Sequence, residues 1–549
     1  MDGVPEAHDV LLRKGLLHQW TPGMSVIFVS HQWLGSVHPD PDGRHAAVLQ
    51  GALQGVLNGS LQIELDVAYD TTIGFEDVVE YARQQVLAGY IFLDWFAIPQ
   101  ITARVEGVNE ESTKSDAALA VQSIPFYVET SSIFLALVPE VKHHDTRKYC
   151  NYASWLSRGW CRAELWCHLL SNKPVTQVIV VYSTKEAQFM YPRDWQEGQQ
   201  KENNIVEGDF TVESDRDVVK KLGEVAVEHK IQNLSTAGPL SLYRFFLARR
   251  SRMLGQPSLT WEVDDFLHHF KFPDLESATT DKSSMNALLC ATFSGDVEMV
   301  RLLAHKKADL NANLHGLEKL GFPDVWNLLI AALEINTLLD LGCDANFCTW
   351  DGSSVAGFAK SPQQVDELSR GRADLHTAGM PLGMTPLALV AGMSNLETVS
   401  ALLQHRCDPD PPLCGLGVTP LMSAVLLARG NCRGVEIVRT LLEARANPNV
   451  AARPTGAMWL TEVAVARAKV GWVALLGRET CARKTRSFAT LPGSTVLSTA
   501  AGIGSEELVE LLLSYGAYPQ PNDRGETCEF LAEADGHYNV LPCFRTFAA

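Results

Sequence analysis

A chain of 549 residues exceeds what one hydrophobic core organises, so two or more domains are expected. Hydrophobic residues at 46% and charged residues at 20% are ordinary for folded protein and leave no case for global disorder. The net charge of -18 and sequence pI near 5.4 argue against nucleic acid as a partner, because counterion release needs clustered Lys and Arg.

The opening segment 1–22, with "MDGVPEAHDVLLRKGL", has neither a basic n-region nor an uninterrupted apolar stretch, and no later run approaches the ~18 apolar residues of a membrane span. A cytoplasmic protein without membrane association is expected. Twelve cysteines are scattered with no C-x-x-C pair, which predicts reduced, mostly buried thiols and no metal site. The basic runs "LARRSR" (248–253) and "CARKTR" (481–486) read as solvated faces or loops.

From residue 23 onward, strand-like runs "SVIFVS" (25–30), "YIFLDW" (90–95), "SIFLALV" (132–138) and "TQVIVVYS" (176–183) alternate with helical patterns such as "HAAVLQGALQGVL", "DVVEYARQQVL" and "CRAELWCHLL". Short β runs separated by helices predict a doubly wound, mostly parallel α/β sheet over 23–185. Ligands of such sheets lie beyond the carboxyl ends of the strands, here "SHQWLG", "DWFAIPQ", "PEVKHHD" and "STKE". Ser30, His31, Gln32 and Trp33 close the first run, with Trp33 placed to stack on a base; capping and core packing explain them about as well. Asp94 has two readings, a hydrogen bond to a ribose or a cap on the following turn. Gln100 and Tyr127 are further pocket candidates, and His143, His144 and Asp145 read as an exposed loop.

An extension at 186–255 follows, in which "EGDFTVESDRDVVKKLGEVAVEHKI" (207–231) suggests a strand, a cap and a helix and "LSLYRFFLARRSRML" a second amphipathic helix. A linker is expected at 256–284, with one short helix in "WEVDDFLHHF". Beyond it four stretches align: "NALLCATFSGDVEMVRLLAHKKADLNA" from Asn286, "TPLALVAGMSNLETVSALLQHRCDPDP" from Thr385, "TPLMSAV" from Thr419 with "VEIVRTLLEARANPN", and "TVLSTAAGIGSEELVELLLSYGAYPQP" from Thr495. Leu288 and Leu387 are 99 residues apart, three units of 33, and Leu421 follows Leu387 by 34. These units resemble ankyrin repeats. Degenerate units fit between them, with second helices in "INTLLDLGCDAN" (335–346) and "QQVDELSRGRADLH" (363–376). The longer gap before Leu497 implies an extra unit plus an insertion around "MWLTEVAVARAKVGWVALL". An all-α solenoid over 285–530, then a tail at 531–549, is expected. The resemblance implies a surface that holds a protein partner.

Familiar signatures of nucleotide hydrolases, dehydrogenases, zinc proteases and serine hydrolases are absent. What is present is an order: a strand ending in Ser30, a strand ending in Asp94, "ALAVQSIPFYV", another strand, then "YASWLSRGWCRAELW". This resembles a TIR-like domain with a flavodoxin-like strand order. Trp160, Cys161, Glu164 and Leu165 match the family's S-x-W-C-x-x-E-L pattern, with Gly159 as a local departure. "DWFAIPQ" with "SIPFYV" is also similar to heterokaryon-incompatibility domains, and the two halves together resemble ankyrin-repeat proteins of algae and protists.

The resemblance implies that Glu164 drives cleavage of the nicotinamide–ribose bond of NAD, with NAD as substrate, no cofactor, and activity dependent on self-association through the TIR-like domain. Cleavage develops oxocarbenium character on the ribose, which a fixed carboxylate stabilises. Trp160, four residues before Glu164, shares its helix face and would wall the acid. Arg158 and Arg162 read as surface charges. The competing reading makes Glu164 a solvated helix residue and the chain a non-catalytic scaffold acting through self-association and repeat binding.

Overall fold

The N-terminal half builds one six-stranded sheet and a small hairpin. In the computed structural model, which describes residues 3–61, 63–64, 76–100, 119–120, 122–173, 178–190, 208–332, 335–475 and 483–547, the strands are β1 (Val26–His31), β2 (Ile63–Glu64), β3 (Tyr90–Phe92), β4 (Ile133–Leu137), β5 (Val141–Lys142), β6 (Tyr149–Cys150), β7 (Val178–Val181) and β8 (Ala187–Phe189). The sheet order is β2-β8-β7-β4-β1-β3, and β5 pairs with β6 alone. β3, β1, β4 and β7 are mutually parallel, so the four strands expected from sequence stand in the order second, first, third, fourth. That is the flavodoxin-like arrangement over these strands.

The sheet is mixed rather than parallel throughout. β8 returns antiparallel to β7, and β2 joins it at the edge. The cause is loop length: Tyr182 and Ser183 N–H groups both donate to the Glu186 carbonyl, a tight turn far too short for the crossover a parallel pair needs.

Alternation along the central strands supplies both faces. Ile27, Val29, Leu135 and Ile179 pack under the helix Arg44–Asn58 through Leu49 and Ala52. Phe28, Phe134, Ala136 and Val180 pack under the helices Ile124–Thr130, Tyr152–Ser157 and Gly159–Leu169 through Val128, Trp155 and Leu165. The sheet is therefore covered on both sides.

Ala163, Trp166 and Leu170 open a third core that runs through the helices Asp215–Ala237 and Leu240–Met253 into the repeats. The strand expected within 207–231 is reduced to a single bridge between Arg158 and Asp209. The segment 256–284, expected as a linker, is a packed layer with helices at Val263–His269 and Leu275–Thr280. Phe266 and Phe270 are buried in it, and Arg244 ties it down by donating to the Phe270 carbonyl at 2.7 Å and to Asp281 at 2.9 Å.

Among the described residues, seven helical pairs stack after it, the last of them formed by Cys528–Ala534 and Leu541–Phe547, so the expected tail is part of the stack. Asn286, Asn327, Thr385, Thr419, Thr495 and Thr527 each cap a first helix by accepting from the N–H three residues on. Leu288, Leu387, Leu421 and Leu497 are buried as the repeat pattern requires. Among the described residues no extra unit lies between Leu421 and Leu497: the helices Pro420–Leu427 and Val496–Gly502 pack on each other directly. The intervening residues form a helical hairpin, Ala457–Leu475 with Arg483–Thr490, whose neck is closed by the Ala452 N–H on the Ser494 carbonyl and the Gly493 N–H on the Ala452 carbonyl.

The α/β domain lies along the edge of the stack made by the turns between paired helices. Tyr149 donates to Glu510 at 2.9 Å, Lys142 to Glu506 at 2.5 Å, and Ser183 to the Asp535 carbonyl at 2.7 Å. Arg429 grips the Glu186 carboxylate at 2.7 and 3.0 Å, and His537 Nε2 lies 2.7 Å from the same group. No helix of the described residues is long and apolar enough to cross a membrane. The described cysteines are free, and most are buried.

Candidate functional site

The helix after β1, Arg44–Asn58, covers one face of the sheet, whereas the helices after β4 cover the other. The chain thus leaves these neighbouring strands in opposite directions, which opens a crevice at their carboxyl ends. β1 brings Ser30 and His31 to this crevice, β3 is followed by Asp94, and Glu164 reaches it from the helix Gly159–Leu169.

Ser30 is buried, and its hydroxyl oxygen accepts from Trp155 Nε1 at 3.0 Å. The same hydroxyl hydrogen-bonds the Glu164 carboxylate. Asp94 collects three donors: His31 Nε2 at 3.1 Å, Trp33 Nε1 at 2.9 Å and its own neighbour's Trp95 N–H at 2.7 Å. The Gln100 amide donates to the Asp94 carbonyl at 3.0 Å. Asp94 opens the short helix Asp94–Ala97, and its carboxylate, 35% exposed, faces the first strand.

The charges follow from burial and these contacts. Burial pushes the Glu164 carboxyl up to about 7; Ser30 and the His31 charge oppose the shift, and the Asp94 charge adds to it. Burial alone would depress His31, but the Asp94 hydrogen bond and charge, with Glu164 and Asp40 behind them, raise its pKa. His45, whose Nδ1 lies 3.4 Å from His31 Nδ1, is held well below the ordinary range by burial and by the His31 charge. Asp94 is held below the ordinary carboxylate range against its own burial, by the His31 hydrogen bond and charge and by the Trp33 and Trp95 donors. The site is a hydrogen-bonded His31–Asp94 pair, the histidine raised and the aspartate lowered, beside a carboxyl pushed up to about 7.

Ser30, Trp33, Asp94 and Glu164 are thus assembled around β1. Trp160 is turned elsewhere: its indole Nε1 donates to Asp215 at 2.9 Å and the ring packs toward the helix Asp215–Ala237. Trp166 is buried in the same core. The tryptophans flanking Glu164 therefore fasten its helix to the extension, and the indoles that reach the crevice residues are Trp33, on Asp94, and Trp155, on Ser30. Arg158 donates to Thr211 at 2.8 Å, while Arg162, expected as a surface charge, is buried and donates to the Leu156 carbonyl at 2.6 Å. Tyr127 packs against Phe92. His143 Nδ1 accepts from the Asp145 and Thr146 N–H groups, which makes 143–146 a self-bonded turn.

Gly159 has a packing reason. A Cβ there would meet the Phe210 ring at 2.0 Å, and Gly159 N–H donates to the Asp209 carbonyl at 3.0 Å while Asp209 N–H donates back to Ser157 at 2.7 Å. The departure from the pattern lets segment 208–210 lie against the start of the Glu164 helix. Gly159→Ala is expected to cost about 1–3 kcal/mol by overpacking, read as a lower urea midpoint.

The family model described as Ankyrin repeats (3 copies) matches residues 354–452, which identifies that stretch and supports a protein-interaction role for the stack. No TIR-like or heterokaryon-incompatibility family model matches the α/β domain. No curated protein matches the chain.

Proposed function

We propose that the α/β domain is a nucleotide N-glycosidase that cleaves the nicotinamide–ribose bond of NAD, and that the ankyrin repeats tether it to a protein partner. The observation that carries this reading is the Glu164 carboxyl: it is desolvated to a pKa of about 7, oriented by Ser30, and set beside the His31–Asp94 pair at the strand ends. A group kept at that cost to folding is the usual mark of chemistry rather than packing.

In the reaction the C1′–N bond breaks with its electron pair moving to nicotinamide, which leaves as a neutral ring. The ionised Glu164 stabilises the oxocarbenium that develops, water adds at C1′, and its proton passes to Glu164 or to solvent. Asp94, fixed by Trp33 and His31, accepts from a ribose hydroxyl through its exposed side. Trp160 has no role here, because its polar edge is spent on Asp215.

The test is direct. Purified protein incubated with NAD, alone and clustered on a bivalent support, is expected to release nicotinamide, and Glu164→Ala to release none while keeping its circular dichroism. Absence of nicotinamide from wild type under both conditions would leave the scaffold reading standing.

A further inference from the structure

The helix Ala457–Leu475 presents two faces. One faces its partner Arg483–Thr490 and the stack: Val463 and Ala466 are buried, Arg467 Nε donates to the Ala489 carbonyl at 3.1 Å, and Trp459 Nε1 donates to the Pro381 carbonyl at 2.6 Å. The opposite face is exposed yet apolar, with Met458, Val465 and Trp472 at 41%, 45% and 65% exposure. These three lie seven residues apart, the spacing that keeps a seam on one side of a helix. Thr461 and Ala468 sit between them, and Ala464 and Gly471 flank one side, all small enough for close helix approach. The other flank carries Glu462 and Lys469, both exposed and neither in an ion pair with a described residue.

We propose that this helix pairs antiparallel with the same helix of a second copy of the chain, about a two-fold axis at Val465. The charge pattern selects the occupant. With Val465 on the axis, Met458 of each copy meets Trp472 of the other, and Glu462 falls beside the other copy's Lys469 on both sides of the axis. A parallel pairing would set Glu462 and Lys469 against the other copy's Ala464 and Gly471 flank and leave both charges without an opposite partner. The hairpin reaches the turn edge through Arg486, which pairs with Asp535, but Met458, Val465 and Trp472 stay exposed, so this surface is open in the monomer. A seam from Met458 to Trp472 spans about 21 Å of helix. That is small for a stable interface, so a dimer dissociating on the order of 10 µM is expected. The proposal is independent of the chemistry at Glu164.

Sedimentation velocity of the full chain from 1 to 200 µM tests it. Wild type is expected to dimerise, and Val465→Glu to remain monomeric with an unchanged circular dichroism spectrum. Glu462→Lys and Lys469→Glu are each expected to weaken the dimer tenfold or more, and the double reversal to restore it to within about threefold, because it rebuilds the same pairs with their signs exchanged. A wild type that stays monomeric at 200 µM, a dimer insensitive to Val465→Glu, or a double reversal no better than the singles overturns the proposal. So does a monomeric wild type that instead co-sediments with anionic lipid vesicles, which would make the apolar face a membrane contact.

Discussion

Glu164→Gln is expected to abolish nicotinamide release, by about a thousandfold or more, while making the protein more stable at alkaline pH. The first effect follows from removing the one negative charge aimed at the developing oxocarbenium. The second follows from the price of holding that charge in a desolvated place. The carboxyl has an ordinary pKa of 4.5 and is raised to about 7 by burial. Between these values the folded protein binds a proton that the unfolded chain does not, so this group's contribution is fully present below pH 4.5 and is lost as pH rises through 7. With about 1.4 kcal/mol per unit and some residual hydration, the loss is on the order of 2–3 kcal/mol. Glutamine keeps the hydrogen bond to Ser30 and carries no charge, so its unfolding midpoint should stay level where that of wild type falls. Urea titrations at pH 5 and pH 8.5 read this difference. A variant no more stable than wild type at pH 8.5 would mean the carboxyl is hydrated after all. The rate has the opposite slope: because the ionised form acts, nicotinamide release should rise with pH through about 7.

Much of this site was legible because each part lies at the end of a buried run. β1, β3, β4 and β7 announce themselves by continuous β-branched and aromatic residues, and the crevice position of Ser30 and Asp94 follows from where those runs stop. Glu164 was legible through its motif. What escaped was set by tertiary packing. Trp155 and Trp160 are both aromatic residues near one acid, and only the placement of Asp215 decides that Trp160 turns away while Trp155 reaches Ser30. His45 lies in the first turn of the helix Arg44–Asn58 with no local signal that its Nδ1 comes within 3.4 Å of His31 Nδ1. β8 has only three residues, and its reversal depends on a turn of a few residues after β7. The linker reading failed for a related reason. Phe266 and Phe270 share one face of the short helix that the sequence did suggest, but a stripe of two residues does not show what buries it, which is Arg244 and the first repeat.

The contact between Glu186, Arg429 and His537 joins the α/β domain to the repeats, and its disruption should be the most destabilising polar change in the molecule. Glu186 is 4% exposed and accepts a two-pronged bond from Arg429. Arg429 also donates to the Ile503 carbonyl and lies over the Tyr182 ring at 4.2 Å. Arg429→Met removes the charge while keeping most of the apolar stem, so Glu186 is left as a buried anion without its two-pronged cation, and about 3–5 kcal/mol should be lost at pH 8. At pH 6 the loss should be smaller. In wild type, burial holds His537 below its ordinary pKa and the Arg429 charge adds to this, although Glu186 opposes it. Without Arg429 one lowering cause is gone while the Glu186 carboxylate, 2.7 Å from His537 Nε2, stays, so the imidazole's folded-state pKa rises relative to wild type. A raised folded-state histidine contributes stability at low pH that disappears as pH climbs through that value. The variant should therefore recover part of its lost midpoint between pH 8 and pH 6, and Arg429→Met combined with His537→Ala should recover none. Unfolding followed by tryptophan fluorescence in a background where Trp261, Trp326, Trp350, Trp459 and Trp472 are replaced by Phe, so that the signal comes from the α/β domain, and by helical circular dichroism, which is dominated by the repeats, should give one coincident transition with Arg429 in place. The two signals should separate for the variant, because the domains are then held chiefly by the apolar bridge from Ala163 and Trp166 through the helix Asp215–Ala237. Transitions that stay coincident with an unchanged midpoint would show that the bridge alone couples the domains and that the ion network adds specificity without stability.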